Sequence, residues 1–189
     1  MKRSLFITGG TGMLGRELIP LFLKNSDYDI YLFLHQQGKG LNKKELLRKL
    51  FRLSSKLLEK RLHVLTGDIT KKKLGLSKKD TAELNKVITD IIHAAAITRF
   101  DLDIDSIRKI NVEGTKNVLE FSKQCVNLKQ LVFISTPYIS GKRTGKIFEN
   151  DRVHNSGFVN TYEQSKYEAE ALVESASDKL PIVIYRLST

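Results

Sequence analysis

Cysteine is almost missing from this chain: Cys125 is the only one in 189 residues. That excludes an intrachain disulfide and a cysteine-based zinc site, and it fits a reducing, cytoplasmic setting. Cys125 itself reads as a half-buried helix residue rather than a nucleophile. Long apolar runs are missing as well, and none approaches the ~18 residues of a membrane span. The run after Lys2-Arg3 stops at Gly9-Gly10 after about five residues, too short for a signal peptide. Acidic residues are in short supply, with 21 Asp and Glu against 32 Lys and Arg, a net charge of +11. The lysines gather at Lys43-Lys44, Lys71-Lys72-Lys73 and Lys78-Lys79. Such a surplus suits nucleic acid, an anionic membrane surface, a phosphorylated cofactor or a plain solvated face. No aromatic side chains interleave with the lysines as stacking platforms would, so no nucleic-acid partner is expected. What remains is the composition of an ordinary soluble domain with one real core.

The most informative stretch is Leu5-Phe6-Ile7-Thr8-Gly9-Gly10-Thr11-Gly12-Met13-Leu14-Gly15. A short apolar run meets three glycines spaced G-x-x-G-x-x-G, and a helical pattern follows, which reads as strand, tight turn and helix. Without a Cβ, Gly9 can turn sharply, Gly12 lets the backbone approach a pyrophosphate, and Gly15 lets the helix pack on the strand. The free N–H groups and positive dipole end of the helix then suit phosphate. In this context the motif predicts dinucleotide binding.

Asp29 to Leu34 reads as a second strand. An acid about 20 residues past such a glycine turn holds the ribose hydroxyls of NAD. Here the place is taken by Leu34-His35-Gln36-Gln37, with no carboxylate, and Lys39, Lys43 and Lys44 follow. That favours NADP(H), with NAD(H) still possible, because cations can pair with a 2′-phosphate; the alternative is that the lysines are a wet loop. Asn42 to Lys60 is an amphipathic basic helix, with Leu46, Leu47, Leu50, Phe51, Leu57 and Leu58 at helical spacing. It either covers a sheet face or lies on a membrane surface.

Leu62 to Thr66 is a third strand, running into Gly67-Asp68-Ile69-Thr70, where Asp68 either meets an adenine amine or makes a turn. Val87 to His93 reads as a fourth strand, apolar on both faces as parallel strands are. Ala94-Ala95-Ala96 after it leave room for a cofactor, while His93 reads as a satisfied core histidine. A long helix is expected from Ile104 to Gln124, with Asn111 inside it as a kink, a water site or a solvent-facing residue. Leu131 to Ile134 is a fifth strand ending in Ser135-Thr136, and Gly141 to Ser156 is a polar stretch expected to be mobile. Tyr162-Glu163-Gln164-Ser165-Lys166 then opens a helix to about Ser177, with Tyr162 and Lys166 on one face. An ammonium beside the phenol would lower its pKa from about 10 and make Tyr162 a proton donor for a carbonyl. Pro181 to Arg186 is a sixth strand. The fold class is therefore α/β: a Rossmann-type doubly wound parallel sheet of about six strands with helices on both faces.

These motifs, taken in order, resemble an extended short-chain dehydrogenase/reductase, and within it the thioester-reductase and fatty acyl-CoA reductase (male-sterility-type) branch. The resemblance runs through Thr8 to Gly15, Gly67 to Thr70, Leu74-Gly75-Leu76-Ser77, His93 to Ala96, Asn111-Val112-Glu113-Gly114-Thr115, Ser135-Thr136 and Tyr162 to Glu170. It implies an NADPH-dependent reduction of an acyl thioester, carried by coenzyme A or a carrier protein, to aldehyde or alcohol. Tyr162 would be the acid, and Lys166 would bind the nicotinamide ribose. Thr136 would hold the substrate carbonyl, with Ser135 as fallback, and Asn111 would belong to the same catalytic set. Thr8, Gly9, Thr11, Gly12, Met13, Leu14 and Gly15 would hold the pyrophosphate, His35, Asp68 and Ile69 the adenosine, and Ala94 to Ala96 would line the cofactor. His35 departs from the Arg that NADP-using members often carry. The family also continues past the sixth strand into a C-terminal substrate-binding part that residues 1–189 lack, so weak turnover is expected of this chain alone. The other readings are a nucleotide-sugar epimerase or dehydratase of the extended family and a non-catalytic dinucleotide-binding module.

Overall fold

The computed structural model describes residues 2–35, 43–52 and 60–188. Gln36, Gln37, Lys39 and the Leu57-Leu58 part of the predicted basic helix lie outside the described residues, as do the side chains of Lys43, Lys44 and Leu46. Six strands form one parallel sheet: β1 (Ser4–Thr8), β2 (Asp29–His35), β3 (Leu62–Gly67), β4 (Asp90–His93), β5 (Gln130–Ser135) and β6 (Ile182–Arg186). Their order is β3-β2-β1-β4-β5-β6, the doubly wound arrangement. The described α-helices are α1 (Met13–Asn25), α2 (Lys43–Phe51), α3 (Lys78–Val87), α4 (Ile104–Asn111), α5 (Glu113–Ser122) and α6 (Thr161–Ser175).

Strand alternation builds two cores. Leu5 and Ile7 of β1 and Ile30, Leu32 and Leu34 of β2 meet Ile19 and Leu23 of α1 and Leu47 and Phe51 of α2 on one face. Phe6 and Phe33 point the other way, to Leu84 of α3, Phe121 of α5 and Ala169 and Val173 of α6. Phe6 lies 5.0 Å from the Phe121 ring and 5.8 Å from the Phe33 ring. Each such fully buried side chain contributes about 1.5–3 kcal/mol against exposure. With helices on both faces, the carboxyl ends of the strands form one open edge.

Two boundaries differ from expectation. Val87 closes α3 instead of opening β4, which starts at Asp90. The reason lies upstream, where the Ser77 hydroxyl oxygen accepts from Asp80 N (3.0 Å) and caps a helix that runs on to Val87. The helix expected over 104–124 breaks at Val112 into α4 and α5. Thr115 Oγ1 donates to Asn111 O (2.6 Å) at the break, and the Asn111 side chain is committed elsewhere. The polar 141–156 stretch, expected to be mobile, is tied at several points. Lys142 N donates to Gly157 O (3.0 Å), His154 Nε2 bonds Ile139 O (2.8 Å), and Arg152 pairs with Glu174.

Candidate active site

The strand order reverses between β1 and β4, and the glycine turn leaves β1 at that point. Gly9 has φ +72°, and a Cβ there would stand 2.6 Å from the backbone of Ala94 and Ala95. The β1 exit and the β4 exit therefore touch through a residue that cannot carry a side chain. Gly12 N donates to Gly9 O (2.9 Å), closing the turn, and Gly12 precedes α1 without a side-chain cap. Every other α-helix among the described residues has an acid in its first turn, and α1 has none. Arg16 stands near its start instead, with Nε on Thr11 O (2.8 Å). A cation beside the positive dipole end is unfavourable by itself, so this helix end is laid out for an anion.

A cleft of about 340 Å³ opens from this turn. Gly9, Thr11, Gly12 and Ala94 to Ile97 line one part, and His35, Asp68, Ile69 and Thr70 the other. His35 ends β2 in register with Gly67, which brings it beside the Asp68 turn. Asp68 Oδ1 accepts from Thr70 N (2.9 Å) and Thr70 Oγ1 (2.7 Å), and these bonds hold its carboxyl below the usual range. Asp68 thus makes the turn and faces the cleft at once. Thr8, Met13, Leu14 and Gly15 do not line it. The Thr8 hydroxyl is buried on His93 Nδ1 (2.8 Å) and accepts from Ala95 N (3.2 Å). Met13 is exposed, and Gly15 packs on Gly10. His93 bridges Thr8 and Thr115 (Nε2 to Oγ1, 3.0 Å), and burial pushes its pKa down to about 3, so it is a neutral core residue. Among the described residues no His, Cys, Asp and Glu group could hold a metal ion.

The second constellation stands at the end of β5. Thr136 is buried at the end of β5, and its hydroxyl stands near the Tyr162 phenol. Burial raises the Tyr162 pKa, the Thr136 hydroxyl pulls it back, and nearby Tyr138 adds to the rise. The expected lowering by Lys166 is not found. Lys166 is buried, donates from Nζ to Ile134 O (2.7 Å) and sits 4.2 Å from the Phe133 ring centre. Its ammonium is spent on the strand rather than on the phenol. Burial brings the Lys166 pKa down to about 7, while Glu170 opposes the fall. Ser135 also turns inward, donating to buried Glu170, which Arg186 pairs from the other side (2.6 Å). That commitment removes Ser135 as a fallback for Thr136.

Asn111 joins the two constellations. Its Oδ1 accepts from Ile97 N (2.8 Å), and its Nδ2 donates to Ile97 O (3.0 Å) and Ser165 Oγ (2.9 Å). Ser165 Oγ in turn donates to Tyr162 O (2.8 Å). Of the three readings of Asn111, the kink is the one observed. Ile97, Ile110, Thr70 and Ser165 are not singled out as site residues by the sequence, although Ile97 directly follows the alanines and Thr70 and Ser165 lie inside the Gly67 to Thr70 and Tyr-x-x-x-Lys motifs.

Residues 7–189 match an NAD-binding family described as male sterility protein. The chain belongs to that family. Fatty acyl-CoA reductase wat of Drosophila melanogaster is 28% identical over 97% of this chain and 42% of its own length. The terminal R domain of the myxalamid PKS-NRPS biosynthetic pathway superposes with a TM-score of 0.86 at 31% identity, over 98% of this chain and 48% of that one. A UDP-glucuronic acid 4-epimerase from Bacillus cereus, solved with NAD, gives a TM-score of 0.72 at 25% identity over 97% of this chain and 55% of its own. The chain spans less than half the length of the curated relatives it matches. In this family setting the acid-free start of α1, the open face of Gly12 and the alanine-lined wall fit a dinucleotide.

Proposed function

We propose that this chain is the cofactor-binding part of an NADPH-dependent reductase acting on acyl thioesters bound to coenzyme A or a carrier protein. The observation that carries it is the hydroxyl pair of Thr136 and Tyr162 beside an anion-ready glycine turn. The bound dinucleotide would supply a hydride to the carbonyl carbon. The residues do the rest. Gly9, Thr11, Gly12 and the start of α1 hold the pyrophosphate, and His35, Asp68 and Ile69 flank the adenosine. NADPH is preferred over NADH because positions 34–37 carry no carboxylate to repel a 2′-phosphate. Thr136 Oγ1 donates to the carbonyl oxygen, and Tyr162 Oη gives it a proton as charge develops there. A phenol raised by burial keeps that proton at neutral pH, as a general acid must. The carbon–oxygen double bond then re-forms as the carbon–sulfur bond breaks, the hydroxyl proton passing to the departing sulfur, to leave an aldehyde and a thiol. Lys166 would hold the nicotinamide ribose from its place beside Ile134.

The likeness to a UDP-glucuronic acid 4-epimerase supports a second reading, a nucleotide-sugar enzyme using the same pair. Following reduced-nicotinamide absorbance with acyl-CoA and with nucleotide sugars separates the two. We expect oxidation of NADPH, faster than of NADH, with the thioester alone. Tyr162→Phe should lower that rate about a hundred- to ten-thousand-fold while leaving NADPH affinity unchanged. A Tyr162→Phe protein as active as the wild type would overturn the assignment.

A further inference from the structure

We propose that Phe100 is the seat of the acyl chain next to the reacting carbonyl, and so a residue that selects apolar acyl groups. The inference rests on the thioester-reductase reading above. Phe100 lies between β4 and α4 and is 62% exposed, yet its ring centre is 5.7 Å from that of Tyr162. A lone exposed apolar side chain on a loose loop needs no explanation. This loop is not loose. Asn111 holds both backbone groups of Ile97 on one side of Phe100. On the other, Thr161 Oγ1 donates to Leu102 O (2.9 Å) and Asp103 caps α4 through Ser106 N (2.8 Å). Arg99 and Asp101, its immediate neighbours, pair with each other (2.6 Å) across it. The fold therefore fixes an aromatic ring at the rim of the proton donor, and the described residues leave most of it exposed. Tyr138, 46% exposed and close enough to shift the Tyr162 phenol, adds a second aromatic ring to that rim. A phenyl ring offers no hydrogen bond, so what this spot supplies is apolar contact. An alkyl chain leaving the carbonyl would lie on the ring and gain affinity with length.

The test uses S-methyl and S-decyl thioethers of coenzyme A, which bind without being reduced; the S-methyl group ends at the carbonyl position and has no chain to lay on the ring. Their dissociation constants are measured by calorimetry for the wild type, Phe100→Ala and Phe100→Leu, beside the NADPH dissociation constant. The wild type should prefer the decyl ligand. Phe100→Ala should lose about tenfold of that preference, with S-methyl and NADPH affinities unchanged, and Phe100→Leu should keep most of it. The proposal is overturned if Phe100→Ala keeps the full preference, if it weakens both ligands equally, or if the wild type shows no preference. A wild type that prefers the decyl ligand but oxidises no NADPH with acyl-CoA would sink the reductase reading alone. Turnover of acyl-CoA with the preference intact in Phe100→Ala would sink the seat alone.

Discussion

Lys166 and Tyr162 stand one helical turn apart, but different neighbours set their protonation. Tyr162 answers to burial and to Thr136, Lys166 to burial and to Glu170. The Tyr-x-x-x-Lys spacing revealed that both share a helix face. It did not reveal that the lysine would turn to the Ile134 carbonyl, because that choice depends on a strand remote in sequence. The consequence is a pH effect. Folded Lys166 releases its proton near 7 and the unfolded chain near 10.5, so between them the unfolded state binds more protons and stability rises with pH. Cys125, pushed from 9.0 to about 12 by burial, acts in the opposite sense from 9.0 upward. Urea midpoints should therefore climb from pH 7 to 9 in the wild type, and Lys166→Met should flatten that climb. The glycines divide in a similar way. A Cβ on Gly15 would press on the Gly10 carbonyl carbon at 2.5 Å, while one on Gly12 meets just Gly9 O at 3.2 Å. Gly12→Ala should keep the wild-type melting temperature and bind NADPH at least about tenfold more weakly, since the lost approach is to the pyrophosphate. Gly15→Ala should lower the melting temperature itself. Differential scanning fluorimetry with a cofactor titration reads both.

Among the elements, five of the six strands were legible within a residue or two, because apolar runs bounded by turn residues are strong local signals. The helices were less so. Ser77 and Asp80 spell a capped helix start, yet a lysine-rich sequence with sparse leucines hides α3, and its last residue, Val87, reads in the sequence as the start of β4. The break between α4 and α5 was foreshadowed by Asn111, but its partners Ile97 and Ser165 lie 14 and 54 residues away and no periodicity encodes them. That joint should matter to both halves of the site. Asn111→Ala strands the buried groups it serves, each at about 1–3 kcal/mol. The melting temperature should fall by roughly 5 °C or more. Turnover should fall further than NADPH affinity, because Ser165 loses the bond that braces the Tyr162 turn. Asn111→Asp, which keeps the acceptor for Ile97 N, should recover part of the stability. A variant with unchanged turnover and melting temperature would show that the joint is dispensable.

At the scale of the whole molecule, the doubly wound order and the placing of both constellations on the carboxyl edge were readable from the alternation of strand and helix and from one glycine motif. Cofactor choice was less readable, since it depends on His35 and on positions after it. The start of α1 carries one more implication. Three of the described helices begin with a polar side chain over their first amides, and this one begins with a bare glycine and an arginine. Among the described residues no side chain caps the amides there, so an anion bound from outside would complete that turn. If a dinucleotide is that anion, the chain's resistance to heat and protease should rise as dinucleotide is added.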